Sequence, residues 1–168
     1  IASSAGIALG TIYKYFKNKE DLFNSLVEPV YTDVLMTLKN SINSSNHPVC
    51  TVMDVKDVIL DIFKVKNKEL LILFDKSKGS KFETFKEELI SVIHTILQKE
   101  LMYQLDERGI EVKDPFICYV LSTTLLEGVY TLLRTQEDGV RIRILIDQLI
   151  HIIFTDIEKR FEEMSHIF

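Results

Sequence analysis

The sequence predicts an all-α protein, and three observations carry that reading. Apolar residues recur at spacings of three and four, the period of a helix with a buried face. Only three prolines and six glycines interrupt the 168 residues, of which 46% are apolar, so long stretches are free to be helical and to fill a core. The first two dozen residues, moreover, read as short helices joined by a glycine turn.

Taken in order, Ile1 to Ala5 looks like a helix fragment and Gly6 the turn, since glycine accepts positive φ without a Cβ clash. Ile7 would fill the angle between helices. A second short helix is predicted from Ala8 to Phe16. Leu9, Ile12 and Phe16 fall on its inward side, which leaves Gly10, Thr11, Tyr13, Lys14 and Tyr15 on the open one. Gly10 lets another backbone approach closely. Hydroxyls on Thr11 and the tyrosines suit phosphate oxygens, and Lys14 adds charge. Asn18 is the expected N-cap of the next helix, with Asp21 in its first turn. Lys19 stands at that helix start, where backbone N–H groups meet anions. Helix, glycine turn, helix is the plan of a helix-turn-helix.

The third helix is predicted from Lys19 to Asn43, with a stripe running from Leu22 to Leu38. Pro29 inside it removes the hydrogen bond to the Ser25 carbonyl and predicts a kink. Cys50 to Lys66 forms the next helix, with Val55, Val58, Ile59, Ile62 and Phe63 inward. Asn67 caps a short helix from Lys68 to Asp75, and Lys76 to Lys81 is a solvated turn. A long helix from Lys81 to Glu107 ends at Arg108-Gly109. Asp114-Pro115 opens a helix from Pro115 to Gln136. A single last helix is expected from Glu137 to Glu163. These last two are apolar on several sides, so each needs more than one neighbour, either in a central core or against a second copy of the chain.

The net charge of −5 is unevenly placed. Residues 1–19 carry three lysines and no acid, a local +3, and the remainder has 17 basic and 25 acidic residues, or −8. A small basic reader on an acidic body is the implied organisation. Cys50 and Cys118 form no ligand-spaced motif, and a reducing cytoplasm is their simplest setting. No apolar run of membrane-span length and no signal pattern is evident, so no membrane partner is expected. Catalytic motifs, metal-ligand spacings and cofactor loops are absent from the sequence, which argues against an enzyme. Asp147 and His151, four apart, form a weak metal pair and a better surface hydrogen bond. His94 lies among apolar residues as a core histidine or a polar handle in a pocket.

The run AGIALGTIYKYFKNKEDLF, from Ala5 to Phe23, closely resembles the signature of the tetracycline-repressor (TetR) family of bacterial transcriptional regulators. One departure is Ala8, where the family's recognition helix has a serine N-cap; its loss weakens the helix start by roughly 1 kcal/mol. The resemblance implies a helix-turn-helix domain over residues 1–24 whose first helix lies before Ile1, and a helical regulatory domain over 25–168. It implies a repressor that binds a palindromic double-stranded DNA operator as a homodimer and is released by a small, hydrophobic ligand. Base-edge contacts would come from Ala8, Leu9, Gly10 and Tyr13 or Lys14, and phosphate contacts from Thr11, Tyr13, Tyr15 and Lys19. The candidate ligand pocket comprises Phe63, Phe74, Phe85, His94, Tyr119, Thr123 and Glu127. The candidate dimer face comprises Leu125, Leu132, Ile142, Leu145, Leu149 and Ile153. The rival reading is a ligand-binding sensor that keeps the helix-turn-helix shape without a DNA role.

Overall fold

The computed structural model describes Gly6 and residues 8–44, 52–110 and 114–165. All the regular structure among them is helical: α1 (Leu9–Tyr15), α2 (Lys19–Ser44), α3 (Val52–Lys76), α4 (Phe85–Asp106), α5 (Phe116–Thr135), α6 (Gly139–Phe154) and α7 (Ile157–Ser165). The expected helix from Ile1 to Ala5 lies outside the described residues, as do Ile7 and Cys50. Helix α2 packs along α3, α3 lies against α6, and α4, α5 and α6 pack in succession, while α3 also touches α4 and α5. No extensive contact joins α1 to another described helix.

One apolar core runs through α2 to α6. It takes Val27, Val30, Val34 and Leu38 from α2, Leu60, Phe63, Leu70 and Leu73 from α3, and Phe85, Leu89, Ile96 and Leu101 from α4. Leu125, Leu126 and Val129 of α5 meet Ile142, Ile146 and Ile150 of α6. The α2 stripe is therefore buried as its spacing predicts, although Leu26 is exposed. Pro29 faces solvent, and α2 continues through it, because the hydrogen bond it cannot make lies on the wet side of the helix.

The junction expected between Lys66 and Asn67 is present as a kink. Lys66 leaves helical geometry (φ −117°, ψ 29°) within an otherwise continuous α3. The start of α6 seats against this bend. A Cβ on Gly139 would stand 2.4 Å from the Lys64 carbonyl oxygen, so only glycine fits there. The expected turn from Lys76 to Lys81 is also present, and the segment after it carries Phe82, which is buried between Phe23 and Tyr31.

Two helix ends obey their sequence signals closely. Past α4, Gly109 takes φ +68°; its N–H donates to the Asp106 carbonyl and the Ile110 N–H to that of Leu105, both at 2.9 Å. That pair of bonds is a Schellman motif, and glycine supplies its left-handed residue. Before α5, the Asp114 carboxylate accepts the Phe116 N–H at 3.0 Å.

Two expectations need correction. The single last helix is broken into α6 and α7 at Thr155 and Asp156. Asp156 adopts φ +53°, a left-handed conformation that aspartate tolerates better than most residues. Arg160 then donates to the Ile153 and Thr155 carbonyls at 2.8 and 2.6 Å, satisfying groups that the break exposes. Secondly, α5 is long and apolar enough to cross a membrane by length and composition. Its charged residues are limited to Glu127 and Arg134. Here it buries Cys118, Ser122, Leu125, Leu126, Val129 and Leu133 in the bundle between α4 and α6, about 33% of that apolar stretch, while Phe116, Tyr119 and Val120 stay exposed. Burial raises the Cys118 thiol above its usual range, which keeps it protonated and unreactive.

Candidate functional site

At the N-terminal end, Gly6 takes φ +66°, the conformation the turn requires. Ala8 is extended and offers no side-chain cap; at the start of α1 the Thr11 N–H donates to the Ala8 carbonyl at 2.9 Å. Ile12 and Phe16 are half-buried. Gly10, Thr11, Tyr13, Lys14 and Tyr15 are all exposed, Tyr13 to 57% and Tyr15 to 72%. Each of these tyrosines presents a ring and a hydroxyl to solvent, with the Lys14 amine 6.0 Å from the centre of the Tyr15 ring. Nothing lies within 4 Å of a Cβ placed on Gly10, so the surface there is open to a close approach. Ala8 is exposed as well; Leu9 lies in α1, and its side chain is outside those described.

The turn into α2 is locked by side chains. Asn18 Oδ1 accepts the Asp21 N–H at 2.7 Å, and Asp21 Oδ2 accepts the Lys17 N–H at 3.0 Å. This reciprocal pair resembles a capping box displaced by one residue. It holds Lys17 and Lys19, both exposed, in a defined position beside α1. Hydroxyls, amines and an open glycine on one locally basic face are groups that can contact a phosphate backbone and the groove beside it.

Farther along the chain, a cavity of about 70 Å³ opens between α2, α3, α4, α5 and α6. Phe63, Leu89, Ile96, Leu125, Val129 and Ile146 are among its lining residues, and the wall is apolar throughout. Of the seven residues expected at a pocket, Phe63 alone lines this cavity. Phe74 and Phe85 pack with tilted rings in an aromatic cluster with Tyr130 and Tyr31. His94 meets Tyr119 edge-on at 6.1 Å in a separate, open cleft between α4 and the start of α5. Thr123 donates to the Tyr119 carbonyl at 3.0 Å, and Glu127 pairs with Lys86 on the surface. The seven do not converge on one site.

The candidate dimer residues also divide. Ile142 is fully enclosed and Leu125 nearly so, whereas Leu132, Leu145, Leu149 and Ile153 are half-buried. The most exposed apolar residues of α5 and α6 are others: Phe116, Val140, Ile144 and Ile152, the last at 73%.

Sequence reasoning missed Lys56. Its stem joins the cavity wall, while its amine binds Asp147 at 2.8 Å and lies 3.4 Å from His151 Nε2. The signal was available: Lys56 falls four after Val52 and four before Leu60, a lysine on a buried stripe. The Asp147–His151 pair expected at the surface is thus joined by a lysine, with its own atoms 3.9 Å apart. Among the described residues, no group of three or more His, Cys, Asp or Glu is placed to hold a metal.

Residues 1–26 match the profile of the family described as bacterial regulatory proteins, tetR family. No curated protein and no solved structure matches the chain. The matched segment contains the exposed face of α1 and the capped turn into α2, so the N-terminal end of the chain is similar to the DNA-binding helix-turn-helix of that family, a similarity that supports a transcriptional regulator.

Proposed function

We propose that this regulator is a repressor which binds a palindromic operator as a homodimer and is released by a small apolar ligand. The observation that carries the reading is the outward face of α1, where Thr11, Tyr13, Lys14 and Tyr15 stand exposed beside the open Gly10. In this reading α1 enters the major groove. Ala8, Leu9, Gly10 and Tyr13 or Lys14 reach base edges, while Thr11, Tyr13, Tyr15 and Lys19 hold phosphates. Ala8 and Leu9 offer only apolar contact, for instance to thymine methyl groups, so DNA shape contributes part of the specificity.

The reader comprises residues 1–24 and the regulatory body 25–168, with α2 as the lever between them. Phe23 and Tyr31 of α2 flank Phe82 at 6.3 and 5.0 Å, and Lys81 and Lys66 tie the body to Glu28 and Asp33. A lever held along its length transmits rigid-body motion. Two copies associate through α5 and α6, with Leu132, Leu145, Leu149 and Ile153 supplemented by the exposed Ile144 and Ile152. The apolar cavity is the ligand site. At about 70 Å³ it is far smaller than the roughly 300–1,000 Å³ of a typical ligand pocket, so the ligand must spread the helices as it enters. The working place of such a protein is the cytoplasm, and its role is regulation, not catalysis.

Titration against labelled DNA from upstream of its own gene, with scrambled DNA as control and at two salt concentrations, tests the reading. Tight, selective, salt-sensitive binding at two chains per site is the expected result. Equal, weak binding to both DNAs would overturn operator recognition there and favour a sensor without a DNA role.

A further inference from the structure

Lys56 is out of keeping with the cavity it borders. Among the described residues it alone brings charge to the lining, which is otherwise aliphatic or aromatic. Because the wall itself is apolar, the lysine contributes its methylene stem there and turns its amine away. That amine meets Asp147 of α6 at 2.8 Å; the lysine side chain is 15% exposed and the aspartate 36%. The hydrogen bond from Lys56 holds the Asp147 carboxyl below the usual carboxylate range, which favours its anion. The pair bridges α3 and α6, two of the helices that enclose the cavity.

We propose that the cavity takes an amphiphilic anion, an apolar chain ending in a carboxylate, and that this head group replaces Asp147 as the partner of Lys56. The inference rests on the reading of the cavity as the ligand site. A chain wedged between α3 and α6 separates Lys56 from Asp147. A neutral ligand would then leave the ammonium beside an apolar wall without its counter-charge, and a cationic one would add repulsion. A carboxylate restores a charge-assisted bond at the same place. The displaced Asp147 keeps Arg143, one turn earlier on α6, as a favourable neighbour, and the lysine keeps His151 Nε2 within 3.4 Å. His151 Nδ1 lies 3.3 Å from Thr155 Oγ1; the tautomer that donates there leaves Nε2 free to accept from Lys56. Ligand entry by this route breaks an α3–α6 bridge, which converts binding into movement of α6.

Octanoate, 1-octanol and octylammonium share one apolar chain and differ only in head group. Calorimetric titration of the purified protein with all three is the test. Octanoate is expected to bind roughly 10- to 100-fold more tightly than octanol, the worth of a hydrogen bond to a charged group, and octylammonium more weakly than either. Lys56→Met keeps an apolar stem and is expected to abolish the octanoate preference while sparing octanol. Asp147→Asn frees the lysine and is expected to tighten octanoate alone, a gain that a purely structural role for the pair would not produce. Ile93→Phe fills the cavity and is expected to weaken all three. Should Lys56→Met fail to fold, the head-group series on the unaltered protein and Asp147→Asn still decide. Equal binding of octanol and octanoate, both blocked by Ile93→Phe, would overturn the anion preference and leave an apolar site. Binding of none of the three, or binding indifferent to Ile93→Phe, would overturn the cavity reading and the proposal with it.

Discussion

Gly10 and Gly139 both fall within the first two residues of a helix, in α1 and α6 respectively, yet their surroundings are opposite. A Cβ on Gly10 would meet nothing within 4 Å, and one on Gly139 would collide with the Lys64 carbonyl oxygen at 2.4 Å. The side chains beside them repeat the contrast. Apart from the half-buried Ile12, those following Gly10 in α1 are polar or aromatic and exposed, whereas Ile142, Ile146, Ile150 and Phe154 of α6 are buried. At Gly139 the space is closed by the body's own atoms, whereas beside Gly10 it is open. Stability should therefore reside in the first region and recognition in the second.

Substitutions at these positions can break that contrast. The largest effect is expected from Gly139→Ala, where the new methyl group must push α6 from the α3 kink at a cost of about 1–3 kcal/mol. Urea denaturation measures it, and an unchanged midpoint would show that the junction gives way freely. Gly10→Ala should act with the opposite sign on stability, adding up to about 1 kcal/mol through helix propensity, while operator affinity falls because the close approach is lost. Retained affinity in a gel-shift titration would remove Gly10 from the contact surface. A narrower effect is expected from Lys19→Ala: unchanged thermal stability, weaker binding to every DNA sequence, and a plot of log K against log salt flatter by about one unit.

The smallest effect concerns pH and the body alone. Asp147 is stabilised as its anion, chiefly by the hydrogen bond from Lys56, so its folded pKa lies below its unfolded one. Its contribution is complete above the unfolded carboxylate range and is lost as pH falls through the depressed folded value. The difference in urea midpoint between the unaltered protein and Asp147→Asn should therefore be present at neutral pH and vanish in acid. Partial exposure of the pair keeps that difference small. A constant difference across pH would assign the effect to packing instead.

Much of the fold was legible because its signals are local. The cap at Asn18, the glycine past α4 and the Asp-Pro opening of α5 each concern groups within five residues of one another. Their bonds formed where the residue types indicated. The outward face of α1 was legible for the same reason, since helical spacing sorts Ile12 and Phe16 from Thr11, Tyr13 and Tyr15. The cavity was less so. Spacing places Phe63, Phe74 and Phe85 each on an apolar face, but which faces meet depends on how each helix is rotated about its axis. Phe63 turned toward the cavity, while Phe74 and Phe85 turned toward Tyr130 and Tyr31.

The sequence by itself determined the helical class, the exposed tyrosines and lysines of α1 and the turn after it, and the terminators of α4 and α5. Backbone hydrogen bonding and side-chain caps act over one or two turns, and one or two turns of sequence are enough to specify them. Only the tertiary structure decided that the last helix breaks at Asp156, where Arg160 reaches back five and seven residues to gather the freed carbonyls of Thr155 and Ile153. Only it decided that Lys56 borders an apolar cavity with its charge held by Asp147, 91 residues away in the chain. Both depend on groups brought together by packing, and packing is settled by the fit of whole helix faces and not by any single stretch of residues.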